Sequence, residues 1–539
     1  MSTGRVRWLL LGVAAAVLVV HSLAYNFVTD DAFISFVYSR NLAEHGELSF
    51  NLGHPVEGYT NFSWTVLLGL LMLAGVPPEI ASRVLGTACA LATLYVAFRA
   101  CERAFGRQTL WAVVPAGLLA ISSGFACWTS GGLETQLFTL CCAVAIDGIV
   151  AAEAFTADPG KARRAMIRVA VALALGAMTR PEGLLVAAIL VGVRLAANAV
   201  ARRWVTRADL IAIAVFLVAW APWFAWRWHY YGYPFPNTYY VKASGPWAVA
   251  HGAETMWSNG VYYVKSWLLQ SRMIYAFPLA LVGSFAVRPR TEAPRFVLAA
   301  ACGALALVYL PYAISVGGDF MGLHRFIMPV FACSAILIAL GCERLVALLP
   351  DRRAGLVLIL PLALYAWTQY QLTQDSTRSC AGRACPNDHG IDSPAFLMVY
   401  TDDRAAIGKA MAPCFTDGDF SIFGGAGAQP YYARMRGVDV FGLVSERIAH
   451  EEPRSNPRAG HTKWGRDTLL ADYDPDFVFS CYQIHAEPKS PPLPCDVGFW
   501  LRRGFEQVTL HVPDMAERGE YYTFLVKKDR NLQCPGLVR

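Results

Sequence analysis

The sequence predicts a polytopic α-helical membrane protein with a C-terminal mixed α/β domain lying outside the membrane. Three observations carry this. Hydrophobic residues make up 55% and charged residues only 16% of the 539 residues, whereas an ordinary soluble domain carries about a quarter charged residues. The mean hydropathy is +0.37. Apolar runs long enough to cross about 30 Å of hydrocarbon recur as far as residue 371 and then stop. A soluble enzyme, a disordered chain and a collagen are excluded. The formal charge is +6, but Lys and Arg are scattered between apolar runs. That is the pattern of cytoplasmic loops and not of a nucleic-acid surface.

The first run covers 8–27 and follows Arg5 and Arg7. A basic start before an apolar run also describes a secretory signal. No small-residue cleavage site follows and further runs do, so a retained helix with a cytoplasmic N-terminus is expected. Further spans are expected at 79–99, 110–127, 133–152, 168–179, 182–197, 209–226, 272–288, 296–315, 326–348 and 355–371, about eleven helices in all. Segment 63–76 is shorter and follows a polar loop, so it reads as a helix lying in the interface. With it left out of the count, the basic stretches 99–107, 161–168, 202–207, 288–295 and 352–353 all face the cytoplasm. The chain then ends on the outer side.

This divides the chain into a transmembrane domain, 1–371, with outer loops 28–78 and 227–271, and an extracytoplasmic soluble domain, 372–539. In the latter, 477–480 and 522–526 read as strands and 403–411 as a helix. Cys380, Cys385, Cys414, Cys481, Cys495 and Cys534 all fall there. An even set in an exported domain implies up to about three disulfides, with the pairing left open. Zinc is the rival reading, but no CxxC pair is present and the spacings are irregular. The remaining cysteines lie in or beside spans and read as small apolar residues.

Chemistry gathers at predicted outer helix ends. Asp30 and Asp31 are adjacent carboxylates where the chain leaves the first span, a boundary at which charge is costly and often functional. A solvated helix end is the competing reading. Arg40 and Asn41 come one helical face later, followed by the polar, aromatic run Asn51-Leu52-Gly53-His54-Pro55-Val56-Glu57-Gly58-Tyr59-Thr60-Asn61. Arg180 interrupts an apolar stretch, with Pro181 and Gly183 loosening the backbone. Lys242, Asp319, His324 and Arg325 also fall near outer ends. For these residues the alternatives are snorkelling anchors and turn caps. No phosphate-cradling Gly-x-x-x-x-Gly-Lys loop and no Gly-x-Ser-x-Gly elbow is present.

These residues carry a resemblance. Asp30-Asp31-Ala32-Phe33-Ile34-Ser35 and Glu57-Gly58-Tyr59-Thr60-Asn61 resemble the C-type (GT-C) membrane glycosyltransferases. Within them, the chain is similar to the group containing the mycobacterial terminal β-(1→2)-arabinofuranosyltransferase and the proteins called flagellar motor control. Gly132-Leu133-Glu134-Thr135, Thr179-Arg180-Pro181-Glu182-Gly183, Tyr231-Gly232-Tyr233-Pro234-Phe235-Pro236-Asn237-Thr238-Tyr239-Tyr240, Gly317-Gly318-Asp319-Phe320 and Gly460-His461-Thr462-Lys463 agree with it. Thr179 stands where the group has Ala, and the tail is richer in cysteine.

The resemblance implies a glycosyltransferase using a polyprenyl-phosphate-linked sugar, arabinofuranose first among them, on the outer face of a bacterial cytoplasmic (inner) membrane. The acceptor is a cell-envelope glycan or an exported protein such as a pilin. Asp30 is the expected base and Asp31 its partner. Arg180, Lys242, Asp319, His324 and Arg325 are expected at the donor. Arg40, Glu57, Tyr59, Asn61, Glu182 and Asn237 are expected in the substrate loops, with His461 and Lys463 at the acceptor. No cofactor is implied; a divalent cation shared by the acidic pair is the alternative. Rival functions are a transporter or flippase of lipid-linked sugars and a non-catalytic envelope or motility scaffold. A transporter would place charges near mid-span and show related halves, and the sequence shows neither.

Overall fold

A computed structural model describes residues 3–106, 108–242, 253–285, 291–349, 358–378, 390–456 and 458–538. Helices stand at every position where the sequence predicts a span, with 286–288 and 355–357 of two of those spans lying outside the described residues. Seven are long and apolar enough to cross a membrane: Thr3–Leu23, Pro78–Phe105, Thr135–Ala154, Gly183–Val200, Arg207–Tyr231, Ala293–Ser315 and Arg325–Leu348. An eighth arises if Met256–Gln270 and Met273–Phe285, which meet at a 93° bend, form one span. The other positions fall short for local reasons. Ser122 is extended and splits 110–127 into short helices. Pro159–Thr179 carries Lys161, Arg163, Arg164 and Arg168 in its first half, and Ile359–Thr377 turns polar in its second.

Lipid-facing surface is evident on Thr3–Leu23, where Leu11, Ala14 and Leu18 are buried while Leu9, Val13 and Val20 are exposed. A helix apolar on all sides, half packed and half bare, suits a bundle in lipid. Arg325–Leu348 is its near-opposite: almost every side chain is enclosed, which places it at the centre of the bundle. It crosses Met273–Phe285 where Gly283 and Gly341 face each other's backbones, with no room for a Cβ on either. Small residues at a crossing let two backbones approach.

Between the first two spans the chain forms two further helices, Asp30–His45 and Phe62–Leu73. The second covers most of the segment 63–76 expected as a short separate helix, and at 12 residues it is too short to count among the spans. The first was not foreseen: Thr3–Leu23 ends before the acidic pair, and the pair opens a new helix instead of closing the old one. Thr29 is extended at its N-cap and Gly46 closes it in the left-handed conformation. Carboxylates in a first turn interact favourably with the helix dipole.

The C-terminal domain is built on a six-stranded sheet in the order β2-β1-β3-β5-β4-β6. Its strands are β1 (Phe420–Phe423), β2 (Arg436–Asp439), β3 (Phe477–His485), β4 (Phe505–His511), β5 (Tyr521–Lys527) and β6 (Leu537–Val538). β1 runs parallel to β2 and β3, and the remaining pairs are antiparallel. Pro394–Met411 covers the expected helix. Disulfides join Cys414 to Cys534 and Cys481 to Cys495. Cys380 and Cys385 lie outside the described residues.

The domain is docked on the helix Asp30–His45 and its loops. Asn51 exchanges two bonds of 2.9 Å with the backbone of Gly437. Asn237 Nδ2 donates to the carbonyls of Gly442 and Leu443 at 2.7 and 2.9 Å. Tyr432 Oη donates to Glu79 at 2.8 Å. Asp392 pairs with the loop after Ala293–Ser315, donating its N–H to Phe320 O at 2.7 Å and accepting from Gly322 N–H at 2.8 Å.

Candidate active site

A cleft of about 480 Å³ opens where the helix ends meet the C-terminal domain. Asp31, Tyr59, Asn61, Arg180, Glu182, Lys242, Asp319 and Arg325 line it, together with Glu134 and Arg454, which were not among the expected site residues. The C-terminal domain adds Leu443 and Gly460 to the rim.

The acidic pair is divided. Successive side chains on a helix point about 100° apart, and only Asp31 faces the cleft. Asp30 turns to the C-terminal domain and accepts the backbone N–H of Ala428 at 2.8 Å. Gly427 beside it has no room for a Cβ, which would overlap the Asp30 carboxylate. Burial pushes the Asp30 carboxyl up to about 6, with the Ala428 N–H and Arg404 opposing and the Asp31 charge adding. Burial also raises Asp31, against the pull of Lys242, Arg325 and Arg458 and with the push of Asp319. Of the pair expected as base and partner, geometry brings Asp31 to the cleft and ties Asp30 to the C-terminal domain. Tertiary docking decides which of two neighbours sees the cleft.

The cations differ in how committed they are. Arg180 Nη1 donates to Glu134 at 3.1 Å and its Nε to Glu182 at 3.2 Å. Its guanidinium lies 5.1 Å from the centre of the Phe326 ring. Arg325 Nε donates to Asp319 at 3.0 Å. Lys242 lines the cleft, is exposed, and forms no ion pair among the described residues. Facing Asp31 are thus one uncommitted ammonium and one guanidinium balanced by a carboxylate.

Other expected residues hold the walls. Asn61 Oδ1 accepts from Ser35 and Thr65, both at 3.0 Å, and its Nδ2 donates to Glu134 at 3.0 Å. Tyr59 meets Tyr231, hydroxyl to hydroxyl, at 3.0 Å. Glu57 points away from the cleft into a buried pair with Arg227 at 2.6 Å. Arg40 donates to the carbonyl of Tyr431 at 2.7 Å and lies over that ring. His324 meets Ser266 at 2.9 Å. His461 is packed edge-on between Phe320 and Phe441. Lys463 is wholly buried and donates to the carbonyl of Ala449. Neither His461 nor Lys463 lines the cleft, nor do Arg40, Glu57, Asn237 or His324.

Among residues sequence reasoning passed over, Glu134 sits inside one of the motif segments, and its signal was a lone carboxylate opening an apolar helix. Arg227 had a comparable signal, a guanidinium among the tryptophans near the end of the helix Arg207–Tyr231. Among the described residues no group of three or more His, Cys, Asp or Glu is placed to hold a metal ion.

The architecture is that of a multi-pass membrane protein with the GT-C fold. ArnT from Cupriavidus metallidurans, solved bound to undecaprenyl phosphate, superposes with a TM-score of 0.58 over 97% of this chain and 98% of its own, at 15% identity. The same protein in its apo state gives 0.60 over 98% and 99%, also at 15% identity. No family model matches the chain, and no curated protein matches it.

Proposed function

We propose that the protein is a glycosyltransferase that moves a sugar, arabinofuranose first among the candidates, from a polyprenyl-phosphate donor to a cell-envelope glycan or exported protein. The observation that carries this reading is the placement of Asp31. It is a half-buried carboxylate with a raised affinity for protons, opposite Lys242 and Arg325 in one cleft. The likeness to a fold solved with undecaprenyl phosphate supports the donor class.

In the proposed reaction the acceptor hydroxyl attacks the anomeric carbon while Asp31 takes its proton. The anomeric carbon–oxygen bond to phosphate breaks, and polyprenyl phosphate leaves with the electron pair. A carboxylate within hydrogen-bond reach suffices as general base. Lys242 and Arg325 stabilise charge growing on the leaving phosphate. One base and one leaving group describe a single displacement, which inverts the anomeric centre. Arg180, locked between two carboxylates, shapes the wall, and Asp30 anchors the catalytic helix to the C-terminal domain. In this reading the cleft and the domain 372–539 lie on the outer face of the bacterial inner membrane, and no cofactor takes part.

The test is incubation of the purified protein with a panel of polyprenyl-phospho-sugars and an arabinan or pilin acceptor. Release of polyprenyl phosphate from one donor is expected. Absence of release from every donor, with the folded protein verified, would overturn the reading.

A further inference from the structure

The loop 319–325 carries both Asp319 and Arg325 into the cleft, and its backbone is strained. Leu323 and His324 are consecutive non-glycine residues with φ of 55° and 62°. L-residues enter this region at a cost of order 1–3 kcal/mol each unless their surroundings impose it. The bundle holds His324 through Ser266 at 2.9 Å, and the C-terminal domain holds the stretch that leads into the strained pair. Asp392 brackets the loop with its two backbone bonds, to Phe320 and Gly322. The Asp392 side chain accepts from Arg458 Nη2 at 2.6 Å, and the Arg458 guanidinium lies 5.3 Å from the centre of the Phe320 ring. Gly322 fits tightly under this clamp: a Cβ there would come within 2.6 Å of the Asp392 carbonyl oxygen. On the other side Trp128 Nε1 donates to Gly322 O at 3.1 Å, and the Trp128 ring supports Arg325 at 5.5 Å.

We propose that Asp392 and Arg458 are positioning residues of the transfer site: the C-terminal domain clamps the strained loop 319–325, and this clamp aims Arg325 at the donor phosphate. The inference rests on reading the cleft as the polyprenyl-phospho-sugar site. The clamp reaches the cleft in two ways. It is mechanical through the bonds to Phe320 and Gly322, because relaxation of Leu323 and His324 would swing Arg325 away from Asp319. It is also electrostatic, because Arg458 is one of the charges that act on Asp31, with Lys242, Arg325, Asp319 and the neighbouring Asp30. Arg458 holds no substrate in this account; it acts through Asp392 and through its field.

Three variants separate this role from plain folding. Gly322→Ala deletes no group and only pushes the loop off Asp392. Arg458→Gln removes the ion pair and the charge, and Arg458→Lys keeps the charge. Donor turnover is measured on full-length protein in detergent, with polyprenyl-phospho-arabinose as donor and the melting temperature recorded for each variant. Gly322→Ala should raise the donor KM about tenfold, the loss of roughly one charge-assisted contact, with kcat changed much less. Arg458→Gln should raise KM similarly and also move the acid limb of the kcat/KM profile to higher pH, because Asp31 loses a nearby positive charge. Arg458→Lys should restore that limb. Wild-type KM and an unmoved acid limb in both Gly322→Ala and Arg458→Gln overturn the clamp. A wild-type protein that turns over no polyprenyl-phospho-sugar overturns the underlying function instead, and the two failures are distinguishable. A fall in melting temperature with unaltered KM and pH profile also overturns the proposal, since it describes a structural contact only.

Discussion

The carboxylate of Asp30 accepts the backbone N–H of Ala428 across 2.8 Å, joining residues 398 positions apart. Among the described residues its neighbour Asp31 has no such tie, and it faces the cleft. Asn at either position keeps shape but cannot take a proton. Asp31→Asn should therefore lower transfer by about 10²–10⁴ with donor binding retained, the range for loss of a general base. Asp30→Asn should stay within about tenfold of wild type, since an amide oxygen still accepts the Ala428 N–H. Single-turnover rates decide between them, and a dead Asp30→Asn beside a normal Asp31→Asn reverses the assignment.

Asp30 should also leave a mark on stability. Its folded value of about 6 lies above the unfolded carboxylate value of about 4. The folded state thus binds this proton more tightly. The contribution is fully present below about pH 4 and is lost as pH rises through about 6. Melting curves of Asp30→Asn and wild type should diverge as pH rises from 4 to 7, with the variant gaining relative to wild type. Parallel curves would show that Asp30 is solvated.

Arg180 and Lys242 should fail differently. Arg180→Ala strands Glu134 and Glu182, and breaking a buried pair from one side costs about 3–5 kcal/mol. A lowered denaturation midpoint is expected, and Arg180→Lys should restore it only in part because an ammonium lacks the guanidinium fork. Lys242→Ala strands nothing and should keep wild-type stability while raising the donor KM. Equal stability losses in the two variants would contradict this division.

The two disulfides span 120 and 14 residues. In the chain-entropy account, the longer loop contributes about 2 kcal/mol more. Paired Ser substitutions at Cys414 and Cys534 should accordingly lower the melting temperature further than those at Cys481 and Cys495. A reversed order would point to strain or residual unfolded structure.

For topology, a reporter fused after Arg539 that works only in the cytoplasm should stay dark. Strong signal would place the cleft on the inner face.

The spans were legible because an apolar run needs no partner to be recognised, and 477–480 and 522–526 were legible because short apolar runs lay in a polar tail. The helix Asp30–His45 was not. Residues 32–41 are buried on every side between the bundle and the sheet, so no polar stripe marks its period. The cleft's membership was legible in part: Lys242, Asp319 and Arg325 line it, whereas Arg40, Asn237 and His324 do not, and Glu134 and Arg454 were passed over. Its orientation was not: whether Asp30 or Asp31 faces the cleft depends on where Ala428 docks. Glu57 and Lys463 were expected in the site because their segments carry the resemblance, and the partners that draw them inward, Arg227 and the Ala449 carbonyl, leave no mark in those segments.

Asn237 accounts for a further property of the chain. Its backbone N–H donates to Glu57 O at 3.0 Å while its side-chain nitrogen reaches the carbonyls of Gly442 and Leu443. One residue thereby fastens the loop before Phe62–Leu73 to the segment after β2. A chimera that grafted the sheet of a relative onto these helices would have to import matching carbonyls for Asn237, the amide for Asp30 and a glycine at 427. The two halves are therefore not interchangeable modules, and changes in one constrain which sequences the other can adopt.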